Sequence, residues 1–238
     1  MPNKRAIVFS GLFFIALHLF SQVSKMPAYP LINHDTYFSI WSFSDTLTNG
    51  STKHWTGADQ PLLGFLKVDG KAYRFLGKED PGGLQARQRS VNVTATQTSY
   101  HFTCGGIDLE LRFINPLLIK NIDELAKPIS YISFKLRSND GKQHKAVLYF
   151  GASSNMAVNK PEQTVTAAKY DEGELHIVKA GTTEQPVLQK RGDDLRIDWG
   201  YMYVAAPKMP GSVQSLASSF NIATVFNGSG IKQLTGKT

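Results

Sequence analysis

An alternation of apolar and polar side chains with a period of two runs through much of this chain and favours β-structure. The clearest case is Ile107–Ile114, in which Asp108, Glu110 and Arg112 separate apolar residues. Because neighbouring side chains of a strand point to opposite faces of a sheet, this pattern predicts a strand with one buried face. Turn signals recur about every ten residues, which is typical of sandwiches and barrels. Twenty glycines, eleven prolines and an aromatic content of 11% agree with an all-β chain.

Two pairs of strands are predicted to form hairpins. In the first, Asp69-Gly70 separates Leu62–Val68 from Lys71–Leu76, and an Asp-Gly pair supplies the positive φ angles of a two-residue turn. The second joins residues 130–137 to 145–151. The remaining predicted elements are strands at 37–43, 90–96, 100–104, 107–114, 163–170, 174–179, 195–199 and 201–205, and a helix at 117–127. Together they predict an antiparallel β-sandwich.

The N-terminus has the pattern of an export signal. Lys4 and Arg5 precede the apolar run Ala6–Phe20, and the small residue Ser21 follows it. This run of fifteen residues is shorter than the ~20 that a membrane-spanning helix needs. We therefore expect residues 1–21 to be a signal peptide, with a buried N-terminal helix as the alternative. The mature protein then begins near Gln22, is periplasmic or secreted, and has no stable membrane anchor.

Charge and cysteine content exclude several kinds of protein. The net charge is +7, but the basic residues are scattered and form no stripe with interleaved aromatics, so no nucleic-acid partner is predicted. The single cysteine, Cys104, rules out an internal disulfide framework and a Cys-rich zinc site, and we expect it to be a buried thiol. The histidines lack metal-ligand spacing, and His34-Asp35 has the pattern of a turn or cap. No metal and no cofactor is predicted.

No set of residues in the sequence has the spacing of a catalytic site. Ser229 and Lys232 match a Ser-x-x-Lys spelling, but they stand in a Gly-rich tail without the companion motifs of that class. Neighbouring carboxylates such as Asp193-Asp194 have the pattern of turn residues and not of a pair that converges in a cleft. The residues alone therefore predict an exported, mostly β domain and assign no catalytic residue.

Two long stretches resemble the N-terminal region of the glutaminase A-like family, which is secreted by fungi and by Bacteroidetes-type bacteria. The first stretch reads YPLINHDTYFSIWS at 29–42, TKHWTGADQPL at 52–62 and VDGKAYRFLG at 68–77. The second reads GTTEQPVL at 181–188 and GDDLRIDWGYMY at 192–203. The resemblance covers nearly all of residues 27–206.

The resemblance implies a larger protein than this chain. Members of the family combine a supersandwich-like N-terminal region with a helical toroid of the six-hairpin type, and are associated with hydrolysis of L-glutamine to glutamate and ammonia. The present chain matches the region before the helical domain. The resemblance therefore implies that this chain is a non-catalytic domain, which partners a helical catalytic domain in cis or in trans. It also implies that the chain comes from a truncated or split protein.

The sequence also predicts a domain division and a site. We divide the chain into a signal peptide at 1–21, an irregular aromatic-rich segment at 22–61 and a β-sandwich at 62–238 that is incomplete at its end. The irregular segment gathers residues that we expect at the interface with the helical domain, or at a substrate site. They are Trp41, Asp45, His54, Trp55, Asp59 and Gln60. The alternative for Trp41 and Trp55 is a place in the sandwich core.

Two other functions remain open at this stage. One is a stand-alone glycan-binding module, which exposed, coplanar Trp or Tyr side chains on one sheet would favour. The other is a complete small hydrolase, for which no convergent acid–base set is visible. If the helical partner is absent, one face of the sandwich is uncovered, and we expect poor solubility or dimerisation.

Overall fold

The computed structural model describes residues 25–78 and 83–217 and shows an all-β sandwich. The predicted signal peptide, Ser229 and Lys232 lie outside the described residues. The strands are β1 (Tyr29–Asn33), β2 (Ser39–Ser42), β3 (Lys53–His54), β4 (Leu62–Val68), β5 (Lys71–Leu76), β6 (Leu84–Gln85), β7 (Arg87–Val93), β8 (Gln97–Cys104), β9 (Ile107–Ile114), β10 (Tyr131–Ser138), β11 (Ala146–Ala152), β12 (Val165–Glu172), β13 (Leu175–Thr182) and β14 (Met202–Pro207). One α-helical turn, α1 (Ile122–Leu125), and one 3-10 helix (Ser154–Ala157) complete them. Within the described ranges, no helix is long and apolar enough to cross a membrane.

Two four-stranded sheets make the sandwich. The front sheet has the strand order β10-β9-β8-β7 and is antiparallel throughout. The back sheet has the order β11-β4-β5-β6, in which only the short β6 runs parallel to its neighbour. Aromatic rings join the two sheets: Phe75 of β5 lies 6.0 Å from Phe102 of β8 and 6.1 Å from Phe134 of β10, measured between centroids.

The alternation in β9 positions the core as the sequence predicts. Ile107, Leu109, Leu111 and Phe113 are buried, and the polar residues between them are half-buried. In β4, Gly64 leaves room for a ring, since a Cβ there would lie 2.3 Å from Cε2 of Phe75. Cys104 ends β8 fully buried, as predicted, and burial raises the pKa of its thiol to about 12.

A small sheet lies at each end of the chain. The N-terminal sheet, β1-β2-β3, packs its β1 against β8 and β9 of the front sheet. Asn115, just after β9, holds it there: its side chain accepts the Asn33 N–H at 3.0 Å and donates to the Leu31 carbonyl at 3.2 Å. Leu31 and Ile40 belong to the same hydrophobic cluster as the sandwich residues. The C-terminal sheet, β12-β13-β14, packs against the 3-10 helix.

Several predicted elements are corrected by the structure. Residues 130–137 and 145–151 do not form a hairpin: β10 pairs with β9 in the front sheet, β11 pairs with β4 in the back sheet, and the connection crosses the sandwich. Residues 195–199 form no strand: the Arg196 N–H donates to Asn159 Oδ1 and the Ile197 N–H donates to the Tyr37 carbonyl. The helix predicted at 117–127 is reduced to the four residues of α1. The segment predicted as irregular contains the N-terminal sheet, and its strand at 37–43 is limited to β2.

Candidate functional site

The two stretches that carry the resemblance meet in space. Arg196 of the second stretch donates from Nη1 to Thr56 Oγ1 of the first at 2.9 Å, across 140 residues of sequence. One residue later, the Ile197 N–H donates to the Tyr37 carbonyl at 3.4 Å. Because both contacts join loops and not strands, the alternation pattern gave no sign of them. We call the surface where the loops 34–37, 54–60 and 184–200 converge the loop face.

A short hairpin brings five of the six predicted site residues together. Lys53 of β3 pairs with Trp41 of β2 and forms a bridge to Asp59. The Gln60 N–H donates to the Thr52 carbonyl at 2.9 Å and closes the hairpin that holds His54 and Trp55 at its tip. Asp45 is not part of this group. Its carboxylate accepts the Tyr29 hydroxyl at 2.8 Å and pairs with Lys25 at 3.0 Å.

His54 is fully buried, and both ring nitrogens have partners. Burial is the main reason why the pKa of its imidazole lies below the usual value, so the ring is neutral at pH 7. Nε2 lies 3.1 Å from the Thr36 carbonyl oxygen and donates to it, and Nδ1 accepts the Thr56 backbone N–H at 3.3 Å. These contacts fix one tautomer and connect the tip of the hairpin to the 34–37 loop. A ring held in this way positions loops and has no free nitrogen for proton transfer.

The two tryptophans have different environments. Trp55 is 47% exposed, and its indole N–H donates to the Thr36 carbonyl at 2.6 Å. Trp41 is half-buried and donates to Ser39 Oγ at 2.8 Å. Tyr37 lies on the adjacent loop and is also 47% exposed. The loop face therefore presents Trp55 and Tyr37 to the solvent.

The remaining predicted residues of the hairpin are one surface ion pair and one buried amide. Asp59 is exposed and pairs with Lys53 at 3.1 Å. Gln60 is fully buried, and neither its Nε2 nor its Oε1 has a hydrogen-bond partner among the described residues. Since buried polar atoms are nearly always paired, Gln60 is the unusual residue of the site.

Polar residues outside the predicted site hold the second stretch in place. Asp198 is buried, accepts from Gln163 Nε2 at 2.9 Å and pairs with Lys190. Arg196 donates from Nε to the Asn159 carbonyl at 2.8 Å, and its side chain is largely buried. Both residues lie within GDDLRIDWGYMY. The family resemblance therefore includes these two residues, whereas residue spacing and alternation give no reason to select them.

The ionisable side chains of the loop face are bonded to neighbouring residues. Across residues 25–78 and 83–217, no group of three or more His, Cys, Asp or Glu side chains is placed to hold a metal ion. The buried ionisable groups of the loop face, His54 and Asp198, are held by neighbouring loops.

The turn role predicted for His34-Asp35 is confirmed, because Asp35 Oδ1 accepts the N–H groups of Tyr37 and Phe38 at 2.7 and 3.0 Å.

Comparisons with known proteins identify the family. A family model described as "Domain of unknown function (DUF5127)" matches residues 96–236, and a second, "Domain of unknown function (DUF4964)", matches residues 19–85. Glutaminase A of Aspergillus oryzae (strain ATCC 42149 / RIB 40) is 24% identical over 142 residues, which cover 56% of this chain and 20% of the relative. The match thus spans about a fifth of that relative's length. No solved structure matches. Since the first family model covers more than half of the chain, the chain belongs to the DUF5127 family.

Proposed function

We propose that this chain acts as the non-catalytic N-terminal β-sandwich domain of an exported glutaminase A-like protein, in which a helical domain hydrolyses L-glutamine to glutamate and ammonia. The observation that carries the proposal is the local match to Glutaminase A, which extends over much of this chain and only 20% of the relative. Most of that relative's length therefore lies outside the match, which leaves room for a separate catalytic domain.

The arrangement of the ionisable side chains supports this role. A hydrolase needs a nucleophile or an activated water, with a general base in reach of it. His54 is neutral, buried and bonded at both nitrogens, and burial keeps the Cys104 thiol protonated. The ion pairs of the loop face, Lys53–Asp59 and Arg196–Asp194, each join two residues of one hairpin or loop and engage their carboxylates.

The loop face is the surface that we propose for contact with the helical domain. Aromatic residues are enriched in protein interfaces, and the exposed Trp55 and Tyr37 lie on neighbouring loops of this surface. Leu188, at 76% exposure, adds an apolar side chain from the second stretch. Because Thr36 and Arg196 fix the loops beneath, such a contact would require little ordering of the backbone.

The experiment measures both activity and association. We expect no ammonia release from L-glutamine by the purified chain alone, and a stable complex with the helical region of a full-length relative. Trp55→Ala should weaken the complex about tenfold or more, as an aromatic anchor at an interface does. Tyr203→Ala, which removes an exposed aromatic side chain from β14, is the matched control and should leave binding unchanged. Glutamine hydrolysis by the chain alone, or no complex, would overturn the proposal.

A glycan-binding module is the second candidate, and one observation favours it. Tyr201 and Tyr203 are exposed on the same side of the C-terminal sheet, at 45% and 53%. Lys179 Nζ lies 3.6 Å from the centroid of the Tyr201 ring and 5.9 Å from that of Tyr203. The same two variants separate the candidates, since retention on an immobilised oligosaccharide should be lost in Tyr203→Ala and kept in Trp55→Ala.

A further inference from the structure

The strand β10 has an open edge. It is eight residues long, and its register with β9 runs from Tyr131 to Ser138 without a bulge. Among the described residues, no strand pairs with its other side. It contains no proline and no acidic residue, and its charges are Lys135 and Arg137. A regular, unpaired strand of this length is a template for another strand.

The core of the sandwich is also open on this side. The partner edge across the core is β11, whose Phe150 ring lies 6.0 Å from that of Phe134 in β10. Phe134 and Phe150 are only partly buried, and Leu136 is 40% exposed. One strand further in, Leu111 of β9 is fully buried. The apolar contacts of the core therefore end abruptly at β10 and β11.

The connection that leads into β10 adds apolar surface at its start. Within residues 117–131, seven large hydrophobic side chains are exposed, five of them by more than half. They are Leu117, Leu118, Ile119, Ile122, Leu125, Ile129 and Tyr131. Soluble monomers rarely expose contiguous apolar patches larger than a few hundred Å², so this concentration next to an open edge indicates a contact surface.

We propose that a second copy of this chain covers the edge, with the two β10 strands paired antiparallel about a two-fold axis at Phe134. In this register Ser133 lies opposite the partner copy's Lys135, and Tyr131 lies opposite its Arg137. On the core side, Ile132 lies opposite Leu136 of the second copy, and the two Phe134 side chains lie opposite each other. Directly opposed residues of antiparallel strands share a face, so the front sheets join into one continuous sheet and the two open cores face each other.

The charge pattern selects this register. An eight-residue strand allows two symmetric registers that keep seven residues paired, centred on Phe134 or on Lys135. The second places Lys135 opposite its own copy, and like charges directly opposite each other are destabilising. The first pairs each cation with a neutral side chain. The pairing is isologous, as expected for a two-fold dimer, and it is independent of the proposed function.

Two substitutions at one exposed position test the proposal by sedimentation equilibrium. Wild type should show a monomer–dimer equilibrium. In Ser133→Lys, the new lysine of each copy lies opposite Lys135 of the other copy, which creates two like-charge pairs. This should raise the dimer Kd about tenfold. Ser133→Glu places Glu opposite Lys twice and should lower the Kd at low salt, and this gain should disappear at about 1 M NaCl because salt screens exposed charges. Thr166→Lys, on the edge strand β12, is the matched control and should leave the Kd unchanged.

Hydrogen exchange of residues 131–138 locates the contact. We expect their amides to be protected at concentrations that favour the dimer and to exchange faster on dilution. A monomer at every concentration would overturn the proposal, as would equal responses to Ser133→Lys and Ser133→Glu. Protection of β10 in the monomer would also overturn it, because the edge would then be covered by the protomer's own chain.

Discussion

At the scale of single residues, Gln60 carries an unfavourable contribution to stability. Its amide is buried, and neither polar atom has a partner among the described residues. An unsatisfied buried polar group costs about 1–3 kcal/mol. Gln60→Met keeps the length of the side chain and removes both polar atoms, so we expect the free energy of unfolding to rise by about 1–3 kcal/mol. Urea denaturation measures the change.

Gln88 provides the matched control for that substitution. Its Oε1 accepts the Leu47 N–H at 2.8 Å, and its Nε2 donates to the Asp45 carbonyl at 2.6 Å. Gln88→Met therefore leaves backbone groups without partners and should lower the free energy of unfolding. Equal destabilisation by the two substitutions would show that the Gln60 amide has a partner in solution.

At the scale of elements, His144 connects the turn between β4 and β5 to the connection between β10 and β11. Nδ1 lies 2.6 Å from Asp69 Oδ2, and Nε2 lies 2.9 Å from Asp140 Oδ1. The hydrogen bond to Asp69, followed by that to Asp140, raises the pKa of the imidazole. The hydrogen bond from His144 in turn lowers the pKa of Asp140 to about 2 and also lowers the pKa of Asp69.

These shifts give a pH dependence with a definite sign. A folded-state pKa of His144 above the unfolded value stabilises the fold fully below pH about 6.5, and this contribution is lost as pH rises through the raised value. The lowered carboxyl pKa values stabilise the fold above pH about 4, and that contribution is lost on acidification through the lowered values. The stability difference between wild type and His144→Gln should therefore shrink as pH rises from 6 to 9. A difference that stays constant over this range, in urea midpoints, would contradict the assignment.

The elements also show how far the sequence predicts the structure. The period of two places β9 and the first hairpin correctly, because one buried face and a positive-φ turn are local properties of Ile107–Ile114 and Asp69-Gly70. The hairpin predicted between 130–137 and 145–151 is wrong because alternation does not say which sheet a strand joins. The connection crosses the sandwich with the help of His144 and Asp69, which are 75 residues apart. Residues 195–199 alternate as a strand does, but they bond to distant loops, through the Tyr37 carbonyl and the Asn159 side chain, and not to a neighbouring strand.

At the scale of the whole molecule, Arg196 joins the chain's two distant stretches. Its guanidinium contacts the Asn159 carbonyl, Thr56 and Asp194, and its side chain is only 10% exposed. Hydrogen bonds to a charged group contribute about 1.5–3 kcal/mol, so Arg196→Ala should lower the free energy of unfolding by about that amount. It should also make residues 184–200 more sensitive to limited proteolysis.

Two further variants distinguish this contact from a general effect of charge. Arg196→Lys should recover little of the loss, because a single ammonium cannot reach three acceptors in the plane of a guanidinium. Arg89→Ala removes an exposed pair with Asp108 at 3.5 Å and should change stability by less than about 1 kcal/mol. If Arg196→Ala proved as mild as Arg89→Ala, the loop face would be held by its other contacts.

The rate at which Cys104 is alkylated measures how often the front sheet opens. Each molecule carries one thiol, at the end of β8, and a pKa of about 12 keeps it protonated at neutral pH. Because only a thiolate in contact with reagent is alkylated efficiently, the labelling rate reports how often β8 separates from its neighbours. When reclosing is faster than labelling, that rate gives the free energy of the opening itself, without denaturant and at a single site.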